Sequence, residues 1–385
     1  MIDVIIVGGG PAGLQAARCL AAGGFEVEVL EEHWSTGEPV HCTGILAPEI
    51  FSRFSMPPAA ALNELRRIRV HSPKGQVITY QTDHAEAMIV DRGAFDRTLR
   101  DLASAGGARV CMGIKAAGIK VGRAHAVVQC TDGSRREARA CILATGSAYT
   151  LHRDLEIGIP PVFLTCAQAE LPALRPGDVE VFLGKEVAPK GFAWVVPVQR
   201  KEGSFARIGL MCDGDAAKYF NNLLPRLEGW ALQAVGDAQP RQRMLPLAPI
   251  RKTYKNRLLV VGDAAGFVKP TTGGGVYYGM ISAEIAAGVL ADALRRDLLE
   301  EKELSIYQQR WQERLMEEIE AQLTLRLLLQ RLTDAELETI FDLWASDGLM
   351  PLVRKTAAFN HHRKLIIAMI RHPAMRKILF RKVLM

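Results

Sequence analysis

The spacing of apolar positions divides the chain into two kinds of segment. Val4, Ile5, Ile6 and Val7 form an unbroken apolar run, the pattern of a strand buried on both faces. Residues 11–23 are rich in Ala and Leu and predict a helix, and residues 25–32 alternate as a second strand. Strand, helix and strand in this order make a βαβ unit. Short strands are expected within 64–82 around the turn Ser72-Pro73-Lys74-Gly75, and again through 108–146. Between them, residues 92–107 carry a helical pattern closed by Gly106 and Gly107. Residues 160–250 read as many short strands broken by Pro and Gly, as an inserted sheet would be. Residues 258–294 return to strand-then-helix, and from about 300 the pattern is helical. Ser305 with Gln308, and Thr333 with Glu336, have capping-box spacing, which predicts a helix start at each.

Composition sharpens the picture. With 385 residues, 49% of them apolar, the chain can build a sizeable core and suits two domains, or one with inserts. Its seven cysteines are scattered, with no Cys-x-x-Cys pair, which argues against a disulfide framework or structural zinc and fits a reducing compartment. No apolar run approaches ~18 residues, so no spanning helix is expected, and a strand at the very start leaves no room for a signal peptide. The expectation is a cytoplasmic protein. The net charge of +6 is uneven: residues 351–385 hold nine Lys/Arg and no acid, leaving 39 basic and 42 acidic residues elsewhere. A body with net charge −3 does not fit a nucleic-acid partner.

The chemistry sits at two glycine-rich turns. Gly8, Gly10 and Gly13 satisfy G-x-G-x-x-G directly after a strand, with Pro11 and Ala12 opening the following helix. Such a turn lets backbone approach a pyrophosphate at a helix N-terminus. Glu31 ends the next strand at the distance needed to accept from a ribose hydroxyl. Far along the chain, a second strand ends in Gly262-Asp263 and passes Pro270 and Gly273-Gly274-Gly275 into a helix. Arg92, the strand-ending Ala144 and Gly146, and Asp263 separate FAD from NAD as the ligand, because flavoproteins of this architecture place an arginine, an Ala-Thr-Gly turn and a carboxylate there. The fold class is therefore α/β: a Rossmann-like FAD-binding domain, an inserted antiparallel-sheet substrate domain and a helical C-terminal region. The expected division is 1–50, 84–155 and 255–297 for FAD, 51–83 and 156–254 for the substrate sheet, and 298–385 for the helical region.

With these signatures the chain resembles the geranylgeranyl reductase family, within the larger group sharing the aromatic-hydroxylase FAD fold. Two further segments carry the resemblance: Pro39–Leu46, with Cys42 and Gly44 as a Cys-x-Gly segment near the flavin, and Pro189–Pro197, an aromatic segment lining the substrate pocket. There are departures. Phe192 stands for the usual Tyr, Val196 for Phe, Lys269 for a common Asn, Gly274 for a frequent Glu and Thr145 for an acid. The resemblance implies FAD-dependent reduction of isolated carbon–carbon double bonds in a prenyl chain. It places Trp194 and Phe192 as aromatic walls, and Cys42, with His41 beside it, as a candidate proton donor. The partners implied are a prenyl or lipid-like substrate and an electron donor. No second dinucleotide motif follows a strand, so that donor is NAD(P)H bound transiently or an electron-transfer protein.

Two other readings stay open at this level. One is a flavin monooxygenase or halogenase, because Gly191–Pro197 approaches the halogenase Gly-Trp-x-Trp-x-Ile-Pro segment without its first Trp. Lys74, the nearest candidate for that chemistry's lysine, falls in a turn. The other is a flavin-bound protein without turnover. In the basic tail, residues 374–385, Met375, Ile378, Leu379 and Val383 share one helical face. That face suits either docking on the protein or peripheral contact with the inner face of a membrane.

Overall fold

The computed structural model describes residues 1–346 and 349–380. Its largest sheet has the order Tyr254–Lys255, Leu258–Val260, Arg135–Leu143, Ile2–Val7, Val27–Glu31, Arg109–Met112. From Leu258–Val260 across to Arg109–Met112 the neighbours run parallel. This is why Val4, Ile5 and Ile6 are wholly buried and their strand has no polar side. The hairpin of Ala116–Val121 and Ala126–Cys130 extends the sheet antiparallel from Arg135–Leu143. The helices Pro11–Ala22 and Val276–Arg296 pack on the sheet and on each other, 250 residues apart in sequence.

A second, seven-stranded sheet runs Arg241–Pro246, Phe163–Pro172, Gly203–Cys212, Phe192–Arg200, Val179–Phe182, Arg67–His71, Val77–Gln81. All its pairings are antiparallel except the junction of Val179–Phe182 with Arg67–His71. A small third sheet joins Ile45–Leu46, Ala87–Val90 and Ala61–Leu65. Within the segment read as strands and loops, Ala216–Leu223 is instead an amphipathic helix capped by Asp215, covering the second sheet with Phe220 and Leu223.

The C-terminal region is helical, as its pattern predicts. Thr333 and Glu336 form their reciprocal cap: Thr333 N donates to Glu336 at 2.8 Å, and Glu336 N to Thr333 Oγ1 at 3.3 Å. A helix, Ile306–Trp311, does begin after Ser305, but the capping box does not form: Ser305 is in helical geometry, follows directly on the helix Glu301–Leu304 and its hydroxyl donates back to Lys302 O. Gln308 instead reaches across to Thr253 and Arg251. The described part of the basic tail, helix Pro373–Phe380, buries Met375 and Leu379 against Leu328, Leu332, Ile340 and Leu349. Most of the stripe that would meet a membrane is thus spent on the protein, while Arg376 and Lys377 face solvent; Val383 lies outside the described residues. No helix among the described residues is long and apolar enough to cross a membrane.

One buried carboxylate fastens this helical region to the second sheet. Glu338 is 6% exposed and accepts from Ser72 Oγ at 3.0 Å, Gln76 Nε2 at 3.0 Å and Lys74 N at 2.7 Å. Glu338→Ala strands these donors and is expected to cost about 1–3 kcal/mol. Urea unfolding measures this directly, and an unchanged midpoint would mean that the turn holds itself.

Candidate active site

The first strand ends beneath Gly8, whose φ of +111° turns the chain into the helix Pro11–Ala22. A Cβ on Gly13 would lie 2.0 Å from Gly8 O, so only glycine allows the helix this close to the sheet. At Gly10 no protein atom comes within 4 Å of that position, and the helix start has no side-chain cap. Glu31 faces this loop: its carboxylate accepts from Gly9 N at 2.7 Å and from His33 N at 2.9 Å. Ala144 N donates to Val7 O at 2.8 Å, which brings the Ala144–Gly146 turn beside Gly8. Ala12 lies under Gly262 and Gly279, joining the first turn to the second.

In the second turn, Asp263 lies against the backbone of Gly275, where a Cβ would be 2.4 Å from Oδ1. Burial pushes its carboxyl up to about 6, opposed by Arg92. Arg92 opens the helix Arg92–Ala105, capped by Asp91, and pairs with the buried Asp96 at 2.9 Å. Its guanidinium also lies beside the Cys42 thiol. Cys42 Sγ accepts from Gly44 N at 3.4 Å. Lys269 N donates to Gly274 O at 3.1 Å and Gly273 N to Lys269 O at 2.8 Å, closing the loop around Pro270. The helix Val276–Arg296 then starts at Gly275 with no side-chain cap. The structure therefore brings Cys42, Gly44, Arg92, Asp263 and Gly275 together near two uncapped helix starts. A glycine cradle, a carboxylate aimed at it and the Asp263 carboxylate fit a dinucleotide running from Glu31 toward Gly275.

Sequence reasoning missed the side chain that holds Cys42 in place. Arg207 is 2% exposed and donates to Thr43 O at 2.6 Å, Val90 O at 3.0 Å and Glu170 at 2.6 Å. Its signal was a lone arginine inside an apolar strand. His41 is held neutral, its ring pushed down to about 4 by burial and by Arg243, whose guanidinium is 2.8 Å away. Lys74 is exposed in its turn, as the sequence implies.

Phe192 and Trp194 project from one face of their strand with ring centroids 5.7 Å apart. Opposite Trp194 stands Gly209, where any Cβ would strike the indole. Both rings touch a cluster containing Met211, Leu247 and Val268, and the Trp194 Nε1 is buried with no partner. Neither ring lines the main cavity. That cavity, of about 510 Å³, lies between the second sheet and the C-terminal helices. Its apolar walls include Leu65, Ile68, Leu325, Phe341 and Phe359, with Arg66, Arg67 and Glu86 among its few polar residues. Trp194 is partly buried against two clusters, one containing Leu65 and the other Val268. His362, also on the cavity wall, meets Thr271 Oγ1 at 2.7 Å. The sequence did hint at this space. Leu323, Leu325, Leu327, Leu328 and Leu329 crowd one helix with more apolar surface than a single face can bury.

Residues 2–178 match the family model described as pyridine nucleotide-disulphide oxidoreductase. A digeranylgeranylglycerophospholipid reductase of Methanocaldococcus jannaschii is 31% identical over 354 residues, covering 88% of this chain and 89% of the relative. Among solved structures, a geranylgeranyl bacteriochlorophyll reductase-like protein from Thermoplasma acidophilum superposes with a TM-score of 0.83 at 23% identity, covering 99% of this chain and 98% of that one. A halogenase variant solved with FAD superposes with a TM-score of 0.68 at 16% identity, covering 99% of this chain and 90% of that one, a likeness of fold alone. On the sequence relationship, the chain belongs to the geranylgeranyl reductase family of FAD-dependent oxidoreductases.

Proposed function

We propose that the protein reduces isolated carbon–carbon double bonds of a geranylgeranyl-type chain carried on a lipid. The observation that carries this reading is the apolar cavity between the second sheet and the C-terminal helices, whose wall includes Thr271 of the glycine loop. Its volume of about 510 Å³ falls in the range of ligand-enclosing sites, and its walls are mostly apolar, with Arg66, Arg67 and Glu86 as their charged groups. Reduced FAD, when bound, supplies the hydride. The chain's residues do the rest. Glu31, the loop from Gly8 to Gly13, Ala144, Gly146, Arg92, Gly262, Asp263, Pro270 and the glycines 273–275 hold the cofactor. Phe192 and Trp194, which pack beside Val268 rather than on the cavity wall, would present aromatic faces to the end of the chain that reaches the flavin, excluding water and favouring positive charge that develops on its alkene carbon. The second alkene carbon takes a proton. Cys42, beside Arg92, is the candidate donor, whereas His41 is too weakly basic to carry one at neutral pH. NAD(P)H or an electron-transfer protein restores the electrons. The exposed Arg371, Arg376 and Lys377 suit a resting place on an anionic lipid surface, from which the substrate is taken.

Anaerobic incubation of the reduced, FAD-loaded protein with geranylgeranyl lipids tests the reading. Mass spectrometry should show products heavier by two hydrogens per double bond. No such product from fully reduced protein would sink it.

A further inference from the structure

Two cations are buried on the glycine loop without a carboxylate beside them. Lys269 is 3% exposed; its Nζ donates to Phe359 O at 2.8 Å and Asn360 Oδ1 at 3.4 Å, and lies 4.1 Å from the centre of the Phe359 ring. Arg326, 5% exposed on the helix Glu317–Leu329, donates to Pro270 O, to Thr271 O at 3.2 Å and to Lys190 O at 3.0 Å. Among the described residues neither forms an ion pair. The nearest acid to influence Lys269 is Glu49, which is exposed and holds Asn360 Nδ2 at 2.6 Å. Buried charge of one sign is costly unless an opposite charge arrives. Carbonyl dipoles and a ring face offset part of that cost and leave a net positive loop. The uncapped N-terminus of the helix Val276–Arg296 adds to it.

Resting on the reading that this loop cradles FAD, we infer that Lys269 and Arg326 are positioning residues whose paired charge awaits the negative charge of reduced FAD, raising its reduction potential. Lys269 stands at the start of the loop, with its side chain against Gly274. Its surroundings also make that charge adjustable. Burial pushes the ammonium down to about 7, with Glu49 opposing, and His362 is the titratable group facing it from the C-terminal side, beside His361. Negative charge on the loop raises its proton affinity. Above pH ~7, two-electron reduction therefore draws one extra proton from solvent onto Lys269.

Spectroelectrochemical titration of the FAD-loaded protein, without substrate, reads both effects. Lys269→Asn and Arg326→Gln should each lower the preference for reduced over oxidised FAD by tenfold or more, about 30 mV for a two-electron couple. In the unmodified protein the potential should fall with pH above ~7 more steeply than in Lys269→Asn, by about 30 mV per pH unit for one proton per two electrons. Lys269→Arg should restore the potential but not the extra slope. Potentials unchanged in both variants, or the same slope with and without Lys269, would overturn the inference. A protein that takes up no FAD would instead refute the cofactor assignment on which it rests. If Lys269→Asn is too unstable to load, the slope of the unmodified protein compared with that of Lys269→Arg still decides.

Discussion

Asp263→Ala is expected to weaken FAD binding by about 10- to 100-fold, the loss of hydrogen bonds from sugar hydroxyls to a charged acceptor. The same residue should impose a pH limit. Its folded-state carboxyl lies near 6, above the usual carboxylate value, because burial disfavours its charge. The apoprotein therefore holds a proton there below about pH 6. Hydroxyl donors favour the charged form, so FAD affinity should fall as the pH drops through that value. The linkage to folding has the opposite sense. This group's contribution to apoprotein stability is full below the unfolded carboxyl pKa and is lost as pH rises through about 6. Flavin fluorescence on titrating apoprotein at a series of pH values would show both parts. Affinity that is flat with pH, or equal in Asp263→Asn, would remove Asp263 from the cofactor site.

Ala357→Trp should stop turnover of a long prenyl chain and leave FAD in place. Ala357 lines the cavity and is only half-buried, so a large ring has room to project into the space without dismantling the core. A drop in kcat/KM of at least about 100-fold is expected if the ring removes the space for several isoprene carbons, at ~0.8 kcal/mol for each buried CH₂. Flavin absorbance and the rate of reduction by dithionite should be unchanged. Undiminished activity on geranylgeranyl lipid would mean that the chain lies elsewhere.

The parallel sheet and both glycine turns were legible because their signals are local. A strand buried on both faces and a glycine that must admit another backbone each write their requirement into a few neighbouring residues. Asp263 and Arg92 were recognisable because motif position fixed them. The cavity was not, because its walls come from segments near residues 65, 180, 325 and 359, each apolar for reasons that read equally well as ordinary core. The basic tail left two readings open for a related reason: Met375 and Leu379 have the same spacing whether the stripe meets a membrane or a neighbouring helix. A helix does begin after Ser305, but its capping box does not form, because the helix Glu301–Leu304 leads straight into it. Arg207 and Arg326 are long-range ties whose partners lie 37 to 164 residues away, beyond any local pattern.

The burial of Met375 and Leu379 in the cavity wall has a consequence for how the protein is made. The glycine turns proposed to hold FAD lie within the first 275 residues, whereas the apolar cavity gains its last side chains at 375 and 379. On the ribosome, domains form from the N-terminus onward. Both turns can therefore fold while the cavity is still open on one side. Until the final turns emerge, that open side is an apolar surface in contact with solvent. A nascent chain stalled near residue 350 would carry both glycine turns but lack a wall of the cavity.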